Sequence, residues 1–275
     1  MRTADLCERF GTEVLDVDLR VPLAADALAT LLRLYDERHL LLFRDQVLDD
    51  AQQLAFVSQF GPLAPDPGYA LSYVSNVRAG GILGGGAMLF HSDLAFTPEP
   101  VLGLSLYAID VPAEGAPTNF ADAAGVLSRI DAARRDELDT LHVVNVFDFG
   151  APDDRRMREA DLAPGSPVIE RPLVERHPRT GVPVLTACEM QTDRIAELEP
   201  DASEALLAEL YAVLYAPGHV YAHRWRTGDL LVWDNVALQH GRDDFPDREA
   251  RTMRRVCLAP RTLADLVPNL GELLA

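Results

Sequence analysis

Residues 219–240, HVYAHRWRTGDLLVWDNVALQH, decide the fold class. The first seven, HVYAHRW, alternate in the period of two that marks a half-buried strand. Thr227-Gly228-Asp229 is a turn, and LLVWD (230–234) is a short apolar strand. Asn235 is a further turn candidate, and RRVCLAP (254–260) reads as a last strand. Further upstream, VLGLSLYAIDV (101–111) has the composition of a central strand, and HLLLF (39–43) that of a buried one. Leu28, Leu31, Leu32 and Tyr35 form the stripe of an amphipathic helix over 25–38. Residues 49–60 suit a second helix, with Leu54 and Val57 inward, and residues 122–141 a third. Asp201-Ala-Ser-Glu204 has the form of a capping box opening a helix that carries Leu206, Leu207, Leu210 and Leu214 on one face. Helices early and strands late predict an α+β fold, an antiparallel β core with helices on one side. A double-stranded β-helix, or jelly roll, is one architecture that fits, although periodicity alone does not select it.

The chain has 275 residues with no internal repeat and no linker, which predicts a single domain over 1–275. Its formal charge is −18, from 43 acidic and 25 basic residues. That balance argues against nucleic acid or an anionic membrane as partner, because phosphate binding needs clustered Lys and Arg. It does not oppose a small anionic substrate, and it leaves a homo-oligomer open. Cys7, Cys188 and Cys257 are sparse and unpaired in spacing, and no signal-peptide core opens the chain, so a reducing cytoplasm is expected. AGGILGGGAM (79–88) must be a loop, and the charge-dense APDDRRMREAD (151–161) is expected to be exposed and mobile. These two segments are the lid candidates.

His91-Ser-Asp93 places an imidazole and a carboxylate two residues apart, so on an extended strand they would share a face. His240 follows a strand and a turn, where a third ligand could be presented. Two histidines and one carboxylate leave coordination positions open, which suits iron(II) oxygen chemistry, whereas structural zinc closes four protein ligands. Taken singly, H-x-D occurs often by chance, and His240 could be capped by Asp243 or Asp244. Two other classes therefore stand beside an oxygenase: a metal-free jelly-roll binding module, and a zinc hydrolase using the same three ligands. Against the hydrolase, no Glu or His stands at the spacing of a general base, and Arg251 would go unexplained.

FHSDLAF (90–96), WDNVALQH (233–240) and RTMRR (251–255) occur in order with GAPTNFADA (115–123), RHPRTGVPVL (176–185) and FGPLAPDPGY (60–69). In these motifs the chain resembles the taurine dioxygenase-like family of Fe(II)/2-oxoglutarate-dependent oxygenases, from about residue 10 to 262. The resemblance implies a jelly roll in which His91, Asp93 and His240 bind iron(II). It also implies 2-oxoglutarate and O2 as co-substrates, the far carboxylate of 2-oxoglutarate being held by Arg251 with help from Thr118. The implied reaction oxidises an unactivated C–H bond and releases succinate and CO2. Hydroxylation is expected, with desaturation the alternative, and the carboxylate of Asp93 disfavours halogenation. At the substrate pocket Tyr69 matches the family, Asp66 stands where the taurine enzyme has a sulfonate-binding histidine, and Arg255 takes the place that holds the substrate anion. These three residues imply a carboxylate-bearing small molecule, such as an amino acid derivative, rather than taurine.

Overall fold

Strand Leu40–Phe43 shows how the sequence sets the layers. Its four residues are all buried, Leu40 and Leu42 in one apolar cluster and Leu41 and Phe43 in another. Strand Leu230–Asp234 divides the same way, with Leu231 and Trp233 on one side and Leu230 and Val232 on the other. Side chains alternate across a strand, so a strand covered on both faces reads as an unbroken apolar run. A computed structural model describes residues 1–82, 85–112, 117–245 and 249–273.

Among the described residues the larger sheet has seven strands, in the order Arg2–Asp5, Thr12–Leu15, Leu40–Phe43, Leu230–Asp234, Gly103–Asp110, Thr252–Leu258 and Leu71–Ser75. The smaller has four, Val220–His223, Thr118–Asp122, Leu238–Arg242 and Met88–His91. All pairings are antiparallel except that of Thr12–Leu15 with Leu40–Phe43. Phe120 and Leu238 of the smaller sheet meet Leu104, Leu231 and Trp233 of the larger in one core, and the Phe120 and Trp233 rings lie edge to face at 5.4 Å. This is the jelly-roll sandwich in an α+β chain.

Helices cover both outer faces, where the sequence suggested one. Ala25–Arg38 and Asp50–Val57 bury Leu31, Tyr35, Phe56 and Val57 against the larger sheet. Pro200–Leu214 buries Leu206, Leu207 and Leu210 in a cluster with Ala121 of the smaller sheet and Val143 of a three-stranded sheet beside it. The smaller sheet is thus apolar outside as well as inside, which a single covered side would have left wet.

Three local expectations are corrected. The helix expected over 122–141 is two pieces, a 3-10 turn at Val126–Arg129 and a helix at Ala132–Leu138. The extended Ile130 ends the first, and Asp131 caps the second by accepting from the Arg134 N–H. The capping box at Asp201–Glu204 does not form, because Pro200 already occupies the first turn and the N-cap is Glu199. Ser203 instead accepts from the Ile195 N–H, and Glu204 pairs with Arg156 and Arg158. Those arginines anchor the segment 151–161, whose Met157 is buried and bonded to the Met190 carbonyl, so exposure is not uniform there. Leu83 and Gly84 of the glycine loop, and Gly115 and Ala116 of the GAPTNFADA motif, lie outside the described residues.

Candidate active site

His91 ends strand Met88–His91, and His240 sits mid-strand directly opposite it. The two rings are 4.3 Å apart. Gly241 makes this approach feasible, since a Cβ there would stand 2.9 Å from the Met88 carbonyl oxygen. Asp93 lies past the end of the strand, in a turn, and so meets the histidines by a different route from the shared strand face that the sequence suggested. Its Oδ1 is 3.3 Å from His91 Nε2 and 3.6 Å from His240 Nε2. The three ligand atoms all lie within 4.8 Å of one another.

The protonation of this cluster suits a metal. His91 Nδ1 lies 2.9 Å from the Leu89 carbonyl, which can only accept, so the proton belongs there and Nε2 presents its lone pair. Burial, with His91 and Arg255 nearby, pushes the pKa of His240 down to about 3 against the pull of Asp93, so its ring stays neutral. Burial opposes ionisation of Asp93, but the Arg255 guanidinium outweighs it and holds the carboxyl well below its usual range. Two imidazoles and one carboxylate converging from one side fit iron(II) with positions left open.

Beside the triad, a cavity is lined by Thr118, Trp233, Arg242, Arg251 and Arg255. Arg251 is 2% exposed, and among the described residues no carboxylate pairs with it. Its Nε has no hydrogen-bond partner. Burial and then Arg242 push its pKa down to about 9, which still leaves the guanidinium charged at neutral pH. An unpaired buried cation is costly, so this side chain is built for an anion that binds from outside. Thr118 Oγ1 accepts from Trp225 Nε1 at 3.0 Å, which turns the hydroxyl proton free to donate to the same anion. The fit for a dicarboxylate such as 2-oxoglutarate is therefore good at the end away from the triad.

The structure sorts the remaining sequence candidates. Arg251 and Arg255 both reach the cavity, as their spacing on one strand suggested. Arg255 gives one Nη to Asp93 Oδ2 at 2.6 Å and lies over the Tyr69 ring at 5.2 Å. Asp66 does not line the cavity. Its carboxylate accepts from the Leu263 N–H and pins the C-terminal segment. Arg254 points the other way, to Asp50, Gln53 and the Leu48 carbonyl.

Five contributors were missed by sequence reasoning. Arg242 lines the cavity and donates to the carbonyls of Gly85 and Gly86, tying the glycine loop to the site. Its place two residues after His240 on a strand was the available signal. Asn235, Asp234 and His177 form the support behind the triad, His177 and Arg179 both binding the Asp234 carboxylate. Nothing local in the sequence marks those contacts, which span 55 or more residues.

A jelly roll carrying this donor set and this buried anion site is that of a 2-oxoglutarate-dependent dioxygenase using iron(II) and O2. The chain belongs to the taurine catabolism dioxygenase TauD, TfdA family, whose profile matches residues 2–257. It is 31% identical over 238 residues to the (S)-phenoxypropionate/alpha-ketoglutarate-dioxygenase of Sphingobium herbicidovorans, covering 79% of this chain and 80% of that one. With the alpha-ketoglutarate-dependent 2,4-dichlorophenoxyacetate dioxygenase of Cupriavidus pinatubonensis it shares 29% identity over 274 residues, 90% of this chain and 93% of the other. Among solved structures, AAD-2 in complex with Mn(II) and N-oxalylglycine superposes with a TM-score of 0.78 at 27% identity, covering 94% of this chain and 96% of that one.

Proposed function

We propose that this dioxygenase oxidises an unactivated C–H bond of a small carboxylate-bearing molecule, an amino acid derivative among the candidates, by hydroxylation or desaturation. The observation that carries the reading is the charge of the cavity. Arg251 and Arg255 both face it, Arg255 paired with Asp93 and Arg251 with no carboxylate partner among the described residues, in a chain whose net charge is −18. A metal dication raises the imbalance, and a dicarboxylate co-substrate removes only part of it, so an anionic substrate is favoured. The relatives named above act, by their names, on phenoxypropionate and 2,4-dichlorophenoxyacetate, both carboxylates.

In this reading His91, Asp93 and His240 hold iron, and bound iron with 2-oxoglutarate and O2 supplies the oxidising power for C–H cleavage, with succinate and CO2 released. Arg251 and Thr118 hold the far carboxylate of 2-oxoglutarate. Leu104, Leu106, Trp233 and Met88 keep the cavity apolar between its charged points. Arg255 keeps Asp93 ionised with one Nη and offers its remaining donors to the substrate anion, with Tyr69 stacked behind it. Segments 79–88 and 151–161 are the lid candidates in this reading. The Asp153 carbonyl accepts from the Leu89 N–H at 3.0 Å, which places the second segment alongside the strand bearing His91. No described helix is long and apolar enough to cross a membrane. A cytoplasmic enzyme without nucleic-acid or membrane partners fits the charge and the free cysteines.

Two variants test the assignments. Thr118→Val removes one hydrogen bond to the co-substrate and should cost about 1 kcal/mol, or about fivefold in the 2-oxoglutarate KM. An unchanged KM would detach Thr118 from the anion. Arg255→Gln should raise the KM for the primary substrate in a succinate-release screen of small carboxylic acids by more than it raises the 2-oxoglutarate KM, both read at saturating iron because the substitution also takes from Asp93 its paired cation. Efficient turnover of a neutral substrate, equal in wild type and Arg255→Gln, would remove the basis for a carboxylate substrate.

A further inference from the structure

Of the three groups in the triad, the carboxylate is the one that the sheet does not hold. His91 and His240 are cross-strand partners, so the ladder fixes both imidazoles. Asp93 lies beyond the strand, and the next residue, Leu94, has φ of 59°. A non-glycine residue in the left-handed region costs roughly 1–2 kcal/mol, so the turn needs other bonds to persist. Thr97 supplies two, its N–H and hydroxyl both donating to the Leu94 carbonyl. Neither reaches Asp93 itself.

The side chain of Asn235 does. It is fully buried, and its Oδ1 accepts from the Asp93 N–H at 2.9 Å. Its Nδ2 donates to the Asp93 carbonyl at 3.0 Å and to the Val101 carbonyl at 2.8 Å. One side-chain amide thus satisfies both main-chain polar groups of Asp93, as a neighbouring strand would, and spends its second N–H on the far side of the loop. The base of this clamp is itself fixed. Asn235 donates its own N–H to the Leu102 carbonyl, and the preceding Asp234 accepts from the N–H groups of Val236 and Ala237. That turn leads straight into the strand bearing His240. Asp234 and Asn235 therefore register the carboxylate against the distal histidine.

We infer that Asn235 is a positioning residue for the metal carboxylate, acting through the main chain of Asp93 to set Oδ1 against the two imidazoles. The inference rests on the triad reading. A purely structural asparagine would behave differently: its loss would lower stability but leave the metal affinity of the folded protein alone. Partners that orient metal ligands typically contribute tenfold to a hundredfold in metal affinity.

The test is titration of the metal-stripped protein with cobalt(II), followed by its visible d–d absorption, for wild type, Asn235→Ala, Asn235→Asp and Asp93→Ala. Asn235→Asp keeps the shape and the acceptor for the Asp93 N–H, but it sets an oxygen against the two carbonyls. Both Asn235 variants should bind cobalt about tenfold to a hundredfold more weakly. Their band shape at saturation should differ from wild type, while far-UV circular dichroism stays unchanged. Affinity within twofold of wild type with an unaltered spectrum would overturn the inference, as would failure of both variants to fold, which would make Asn235 a structural residue. If Asp93→Ala loses cobalt and Asn235→Asp does not, only the positioning role falls. If Asp93→Ala binds cobalt like wild type, the triad reading falls and takes the inference with it.

Discussion

His91→Ala, Asp93→Ala and His240→Ala are each expected to abolish 2-oxoglutarate turnover, read as succinate formation at saturating iron(II). The geometry gives the reason. Three ligand atoms within 4.8 Å are the whole of the protein's hold on the metal among the described residues, and no fourth donor stands by. Losing one imidazole leaves two ligands on a labile dication, which do not keep it in place at ordinary concentrations. The three variants should differ in stability. His91→Ala and His240→Ala leave the Arg255–Asp93 ion pair in place, whereas Asp93→Ala strips Arg255 of its partner at 2.6 Å inside the protein. Breaking a buried pair costs on the order of 3–5 kcal/mol, so Asp93→Asn is the better control for folding. Near-native succinate formation by any one variant would remove that residue from the ligand set.

Arg251→Ala should raise the 2-oxoglutarate KM by at least about a hundredfold, from the on the order of 3–5 kcal/mol that a buried charge pair loses with one partner. The same substitution should act in the opposite sense on the ligand-free protein. There the guanidinium is buried without a counter-ion among the described residues, so Arg251→Met, which keeps an apolar stem of similar length, should leave the thermal midpoint unchanged or raise it. Wild type should gain stability from added 2-oxoglutarate and Arg251→Met should not. An unchanged KM in Arg251→Ala would assign the anion to Arg255, since Arg254 is committed to Asp50 and faces the helices.

The parts of the fold legible in the sequence are those written in local pattern. LLVWD and HLLLF are unbroken apolar runs because both faces of their strands are covered, and the stripe of Leu31 and Tyr35 needed only the helical period. His91, Asp93, His240 and Arg251 were legible through several motifs in a fixed order, none decisive alone. What stayed hidden depends on distant partners. Asp66 carried a plausible substrate role until the Leu263 N–H claimed its carboxylate across 197 residues of chain. Asn235 read as a turn residue, and its bonds to Asp93 span 142 residues. The break at Asp131 was missed because helix-forming residues continue on both sides of it, and one capping side chain outweighs their summed propensity.

The hydrogen bond from Trp225 to Thr118 has a practical corollary. The chain has only two tryptophans: Trp233 lines the cavity with its ring 5.1 Å from that of His240, and Trp225 stands behind it on the Thr118 hydroxyl. Tryptophan emission from this protein therefore comes only from side chains in this cavity or directly behind its wall. One indole reports the co-substrate end and the other the metal end. Occupancy of the two subsites can be followed separately by light, without a label, once each tryptophan is replaced in turn by phenylalanine.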